Sequence, residues 1–301
     1  MYTKMLIPLD GSKTAENVLP YARSLARGLN VPVELIEVID IAEMATHISA
    51  AKARFLDTLI EDAVRSSEAY LKGVANSVKG AGVKCTVEKG RAAEVIIGKG
   101  EADTGALIAM ATHGRSGINR WLLGSIAEKV LRGTANALLL IRATEEAKTE
   151  GEATLKSIVV PLDGSELAES VLPMVGGLAK KLNLEVLLFR AYNVPYNVYA
   201  GGDGYYAIDF DELIAGVRDE ARDYLEKKTQ EVKKLGVERV SFVAQAGLSA
   251  DKIISLGRKT PDNLIAMCTH GRSGVKRWVL GSVTETVVRH SGDPVLVIRA
   301  I

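Results

Sequence analysis

The chain repeats itself once, and this limits what it can fold into more than any other feature. Residues 5–12 read MLIPLDGS and residues 158–165 read IVVPLDGS. Residues 112–125 read THGRSGINRWLLGS and residues 269–282 read THGRSGVKRWVLGS. The first pair is displaced by 153 positions and the second by 157, so one short insertion separates the halves; it falls in the Tyr/Gly-rich stretch after Tyr192. A period this long marks a duplicated domain rather than a short solenoid unit. In a chain of 301 residues each copy has the size of an ordinary domain and can bury a core of its own. Domains are expected at 1–143 and 156–301. Residues 144–155 are polar, lack apolar periodicity and read as a linker.

Within each half, short apolar runs alternate with helical patterns. In the first, strands are expected at 4–9, 31–39, 83–89, 105–111 and 137–142, with helices at 14–29, 52–79, 92–99 and from Ser125 to 132. The second half repeats the order: 157–162, 166–182, 184–191, 211–235, 237–244, 249–258, 262–268, 282–290 and 294–299. Apolar strands between helices predict an α/β protein, each sheet parallel and covered on both faces. Five strands per half suit a doubly wound sheet of order 3-2-1-4-5. Strands 1 and 4 are then neighbours from which the chain departs in opposite directions, and ligands of open α/β sheets bind at that crevice.

Charge excludes some partners. The 38 Lys and Arg nearly cancel the 37 Asp and Glu, for a net charge of +1, which gives no electrostatic case for nucleic acid or an acidic membrane surface. An anionic ligand must be held by local geometry. The two cysteines, Cys85 and Cys268, stand at unrelated places in the halves, so a reducing, cytoplasmic compartment is expected rather than a disulfide framework. No apolar run has transmembrane length, and the N-terminus carries no signal-peptide pattern.

Two motifs converge on the crevice in each half. Asp10-Gly11-Ser12 follows strand 1 and Thr112-His113-Gly114 follows strand 4; Asp163-Gly164-Ser165 and Thr269-His270-Gly271 do the same in the second copy. Gly114 is followed by nine residues and then by Gly124-Ser125, at the start of a helix. Glycines let backbone approach a phosphate, and a helix N-terminus offers unpaired N–H groups with a positive dipole end. Arg115 and Arg120, with Arg272 and Arg277, add charge suited to a triphosphate. The plainer alternative makes Ser125 an N-cap, in a capping box with Glu128, and the glycines turn residues. Asp10 could bind adenine, ribose or Mg²⁺, or cap the first helix with Ser12. Neither a GxxxxGK[ST] loop nor a GxGxxG after strand 1 is present.

On these residues the chain resembles the ATP-binding branch of the universal stress protein family, which carries an Asp after strand 1 and G-x-x-G-x9-G-[ST] after strand 4. The match is complete except at the first glycine, replaced by Ala111 in one half and by the bulkier Cys268 in the other. The resemblance covers nearly the whole chain and implies an adenine nucleotide alpha hydrolase-like, Rossmann-like fold. It implies a pocket lined by Pro8, Leu9, Asp10, Val38, Met110, Ala111, His113, Gly114, Arg115, Gly124, Ser125 and Ile126. Its counterpart would be lined by Pro161, Leu162, Asp163, Ala191, Met267, Cys268, His270, Gly271, Arg272, Gly281, Ser282 and Val283. ATP is the implied ligand, with AMP or ADP as bound forms and Mg²⁺ as companion. The last strands, 137–142 and 294–299, are expected to pair within the chain as a pseudo-dimer, and two chains to pair further.

Other features carry less. His113 and His270 fit a loop-structuring role better than acid–base work, since no nucleophile stands beside them. Cys268 and His270 lack a second ligand pair for zinc. Trp121 and Trp278 suit packing or a subunit contact. The stretch 192–206 is either a lid or an insertion without a task. Three functions remain: a nucleotide-dependent stress-response regulator acting on a protein partner, a weak ATPase or adenylate-transfer enzyme, and a nucleotide-free dimerisation scaffold.

Overall fold

A computed structural model describes residues 2–46, 55–78, 82–113, 123–144, 149–193, 210–269 and 280–299. The chain divides into two compact units. The first runs β1 (Met5–Leu9), a 3₁₀ turn (Ala15–Val18), α1 (Leu19–Leu29), β2 (Val33–Ile39), α2 (Ile41–Thr46), α3 (Leu56–Ala75), β3 (Val83–Lys89), α4 (Ala92–Glu101), β4 (Leu107–Ala111), α5 (Ser125–Gly133) and β5 (Ala137–Ile141). Its parallel strands lie in the order β3-β2-β1-β4-β5, as the alternation predicts. Met5, Leu6 and Ile7 of the central strand are fully buried, which requires the apolar runs read in the sequence.

The second unit repeats the pattern with β6 (Ser157–Pro161), α6 (Glu166–Glu169), α7 (Leu172–Leu182), β7 (Glu185–Tyr192), α8 (Phe210–Lys234), β8 (Val240–Ala246), α9 (Ser249–Lys259), β9 (Asn263–Cys268) and α10 (Ser282–His290). Its strands lie in the order β8-β7-β6-β9 and pair in parallel. The last strand of this repeat, β10 (Val295–Ile298), belongs with the first unit, where it pairs antiparallel with β5: Val295 opposite Leu140, Leu296 opposite Leu139 and Val297 opposite Leu138.

Two departures from the sequence reading have local causes. The helix expected over 14–29 is split, because Pro20 has no N–H and its ring would clash with the Glu16 carbonyl in a continuous α-helix. The chain makes a 3₁₀ turn first and starts the α-helix at Leu19. Pro173 divides the second copy into α6 and α7 in the same way. Helix α2 was not anticipated, since six residues are too few to establish a helical period. In the 144–155 stretch, Arg23 Nη1 on α1 donates to the carbonyls of Thr149 (2.6 Å) and Gly151 (2.9 Å), and Arg27 pairs with Glu152 at 2.6 Å.

One buried charge supports the amino-terminal end of the first sheet. Glu34 on β2 is 5% exposed. It takes Lys4 Nζ at 2.7 Å and the Thr86 hydroxyl at 3.0 Å, with Lys84 Nζ at 3.6 Å. Burial pushes its carboxyl upward, but the bonds from Lys4 and Thr86 and the two ammonium charges outweigh burial and hold it below the usual carboxylate range. Lys4→Met should therefore cost about 2 kcal/mol at pH 7, less than for a fully enclosed pair because Lys84 remains. Lys4→Ser with Glu34→Leu, which removes both charges, should cost less than Lys4→Met alone. The pair's contribution is complete above the unfolded carboxylate value of about 4.3 and is lost as pH falls through the lower folded value. Urea unfolding at pH 7 and pH 3 checks both statements; a Lys4→Met deficit as large at pH 3 as at pH 7 contradicts the assignment.

Candidate functional site

The sheet of the first unit opens where the chain reverses its winding. β1 pairs with β2 along its whole length, to Leu9 opposite Glu37, and β4 pairs with β5 to Ala111 opposite Ile141. Between β1 and β4 the register ends at Leu6 opposite Ile108. The carboxyl ends of β1 and β4 therefore part, leaving Pro8 and Leu9 on one side and Met110 and Ala111 on the other. In the second unit β6 and β9 pair only as far as Val159 opposite Ile265, ahead of Pro161 and Met267. Val38 and Ala191 stand half-buried near the ends of β2 and β7.

The loop after β1 is shaped by its aspartate. Asp10 Oδ1 accepts from the Ser12 N–H at 3.0 Å and from the Ser12 hydroxyl at 2.6 Å. Ser12 Oγ in turn accepts from the Ala15 N–H at 3.1 Å, which satisfies the first N–H of the 3₁₀ turn. Gly11 between them has φ +79°, a conformation that favours glycine. The second unit repeats the arrangement: Asp163 Oδ1 takes the Ser165 N–H at 2.9 Å and its hydroxyl at 2.6 Å, and Ser165 Oγ takes the Ala168 N–H at 3.2 Å.

On the other side, Thr112 organises the return of the loop. Its N–H donates to the Ile141 carbonyl at 2.8 Å, its hydroxyl accepts from the Ala143 N–H at 3.2 Å, and that hydroxyl lies 3.1 Å from His113 Nδ1. Its carbonyl accepts from the Gly124 N–H at 2.8 Å, which ties the end of the loop to its beginning. A β-carbon on Gly124 would lie 2.8 Å from that same carbonyl oxygen, so the close approach requires glycine. Gly281 N–H and the Thr269 carbonyl form the same 2.8 Å bond.

The N-cap of α5 is Gly124, not Ser125 as the capping-box alternative supposed. Glycine takes that place because only it fits against Thr112. Ser125 begins the helix, exposed and without a side-chain cap bond, while Glu128 pairs with Arg132 Nε at 3.2 Å. Ile126 in the first turn is 40% exposed, and Val283, its counterpart, 36%. Gly281 caps α10 in the same manner, and Ser282 is exposed. Each unit thus presents a hydroxyl, an aliphatic side chain and the positive end of a helix at one place.

The two crevices differ in their surroundings. Ala111 is buried, whereas Cys268 in its place carries a thiol 3.8 Å from the Ser170 hydroxyl, and its carbonyl accepts from Thr284 Oγ1 at 2.9 Å. Near Asp10 lie buried Glu16 and Glu37, with Tyr70 donating to Glu16 Oε1 at 3.2 Å. Burial, then Glu16, Glu37 and Asp10, push the Tyr70 hydroxyl well above its ordinary pKa. In the second unit Tyr224 donates to Glu169 Oε1 at 2.8 Å, and burial and Glu169 likewise raise its pKa. Here, however, Arg190 replaces Glu37. Its guanidinium stacks 4.5 Å over the Tyr224 ring, and Lys228 pairs with Glu169 at 2.8 Å.

Gly114, Arg115, Arg120, Trp121, His270, Gly271, Arg272, Arg277, Trp278 and most of the 192–206 stretch lie outside the described residues. Sequence reasoning overlooked Thr284 and the Glu16–Tyr70 bond. The recurrence of that Glu–Tyr pair as Glu169 and Tyr224 was the available signal. Among the described residues, no three His, Cys, Asp or Glu converge as a metal cluster, and no helix is long and apolar enough to cross a membrane.

Comparison with known proteins fits this geometry. The model of the universal stress protein family matches residues 1–142 and again residues 154–299. A universal stress protein of Methanocaldococcus jannaschii is 30% identical over 149 residues, 50% of this chain and 85% of its own length. One from Mycobacterium tuberculosis H37Rv is 22% identical over 310 residues, covering 98% of this chain and 96% of that one. The crystal structure of a universal stress protein from Archaeoglobus fulgidus matches with a TM-score of 0.69 at 22% identity, over 99% of this chain and 98% of that one, a likeness of fold. Matched once in each half, the chain belongs to the universal stress protein family as a tandem, two-domain member.

Proposed function

We propose that this chain is a regulator that binds ATP in the crevice of at least its first unit and changes its engagement of a protein partner with nucleotide occupancy. The observation that carries this reading is the parting of β1 from β4 beside a helix N-terminus whose serine is not spent on capping. The phosphates would lie against the Ser125 and Ile126 N–H groups in the first turn of α5, where backbone dipoles favour anions; the Gly124 N–H is already held by Thr112. Pro8, Leu9, Val38 and Met110 would enclose the base, and Asp10, held by Ser12, would face the base or the ribose. Gly114 and Arg115 would complete the phosphate loop. ADP and AMP fit the same reading with fewer phosphate contacts. Mg²⁺ would arrive with the triphosphate and be held chiefly by its phosphates and water; Asp10 would be its carboxylate ligand only if it faced the phosphates instead of the base or ribose. The matching geometry at Gly281 and Ser282 supports a second site, in which Cys268 narrows the floor.

Protein purified without added nucleotide should release ATP, ADP or AMP on denaturation, read by mass spectrometry, and the emptied protein should bind ATP in calorimetry. Absence of both ends the proposal. Gly124→Ala should weaken the first site about tenfold or more, equivalent to roughly 1.4 kcal/mol, with the far-ultraviolet spectrum unchanged. Steady-state phosphate release that disappears in Asp10→Ala would instead identify an ATPase.

A further inference from the structure

A second feature lies at the opposite, amino-terminal ends of the strands in the second unit. A cavity of about 400 Å³ opens there, within the range of small-ligand sites. Its lining includes Ser157 at the start of β6, Glu185 and Leu187 on β7, Arg239 just ahead of β8, and the apolar Leu155 and Pro261. The nucleotide crevice contributes no residue to it.

Two opposite charges line this cavity without meeting. Arg239 Nη2 donates to the Asn183 carbonyl at 2.6 Å and is 3.4 Å from Asn183 Oδ1; it pairs with no carboxylate among the described residues. The Glu185 carboxylate accepts from the Ser241 hydroxyl at 2.9 Å and pairs with no cation among them. Lys156, the other cation of the rim, is already bound to Asp262 at 2.7 Å. Between them Ser157, only 6% exposed, holds a hydroxyl that makes no hydrogen bond with any described residue. Leaving a buried hydroxyl unpaired is unfavourable, so a partner in the cavity would be favoured.

The first unit is the internal control. Strand register places Lys4 where Ser157 stands, Glu34 where Leu187 stands, Pro32 where Glu185 stands and Gly82 where Arg239 stands. There the Lys4–Glu34 ion pair occupies the corresponding interior. In the second unit that pair is replaced by small and apolar residues, and a new pair of opposite charges stands at the rim. A solvated surface needs neither change.

We infer that the second unit binds a small amino-acid zwitterion in this cavity. Its carboxylate meets Arg239, its ammonium meets Glu185, Ser157 supplies a hydrogen bond, and its aliphatic part lies against Leu187, Leu155 and Pro261. Ligand-observed saturation-transfer NMR on the full chain, with L-alanine, L-leucine and γ-aminobutyrate as probes, tests this directly. At least one should bind, and removing either charge of that probe, by amidation or N-acetylation, should weaken it about tenfold or more, the worth of one charged hydrogen bond. Arg239→Gln and Glu185→Gln should each weaken it similarly. Ser157→Lys with Leu187→Glu should fill the cavity and abolish binding. ATP titration of the same variants should be unchanged, which separates this site from the crevice. Failure of all three probes, equal binding of the neutralised analogues, or a crystal structure with Glu185 and Arg239 paired across the cavity overturns the inference.

Discussion

One backbone hydrogen bond organises the candidate crevice. The Gly124 N–H reaches the Thr112 carbonyl at 2.8 Å, and the approach is too close for any side chain at that position. Thr112 is itself fixed to the last strand through Ile141 and Ala143, so the bond anchors the start of α5 to the sheet. With the helix held there, its first turn starts beside the end of β4, where β1 and β4 part. On the proposed reading, an anion preference of that gap would be a property of backbone position rather than of any single charged residue. Such a site would be compatible with a net charge of only +1.

Comparing the halves shows which chemistry tolerates change. The backbone features of the crevice recur: both loop-closing bonds are 2.8 Å, both aspartates take the serine N–H and hydroxyl, and both helices are capped by glycine. Side-chain charges around them have been exchanged. Glu37 became Arg190, answered by stacking on Tyr224. At the far, amino-terminal ends of the strands, Ser157 and Leu187 stand together where the first unit has Lys4 and Glu34, so that neither a carboxylate nor an ammonium is left buried alone. Removal of one partner would have cost far more than removal of both.

How much was legible in the sequence depends on the same distinction. The strand order came through because alternating apolar runs and helical periods are local signals, and the handedness of crossovers restricts how they assemble. The Asp10–Ser12 and Asp163–Ser165 turns were legible as three-residue Asp-Gly-Ser motifs. The N-cap was misassigned because Ser125 has the right chemistry for a cap, and only the distance to Thr112, twelve residues earlier, excludes every residue but glycine. The split at Pro20 comes from proline's missing N–H, but helical spacing through Val18, Tyr21, Ala22 and Leu25 runs across it and disguised the two pieces as one helix. The cavity at Arg239 was invisible, because its walls come from four segments whose alignment with Lys4, Pro32, Glu34 and Gly82 requires the strand register.

A parallel sheet covered by helices has two chemically unlike ends. Helices begin at the carboxyl ends of the strands and finish at the amino ends, so their dipoles favour anions at one end and cations at the other. A phosphate site at the crevice needs little from side chains. A site at the amino ends has no such help for a carboxylate and must supply its own cation, which is the position Arg239 occupies. For an ammonium the situation is reversed: α7 and α9 end beside the cavity, at Asn183 and Thr260, and the negative ends of their dipoles add to Glu185, although the carbonyls of Asn183 and Thr260 already accept from Arg239 and Asn263. A ligand bearing both charges uses the arginine for one and the helix ends with the glutamate for the other. A simple anion or a simple cation would leave one of these groups without a counterpart.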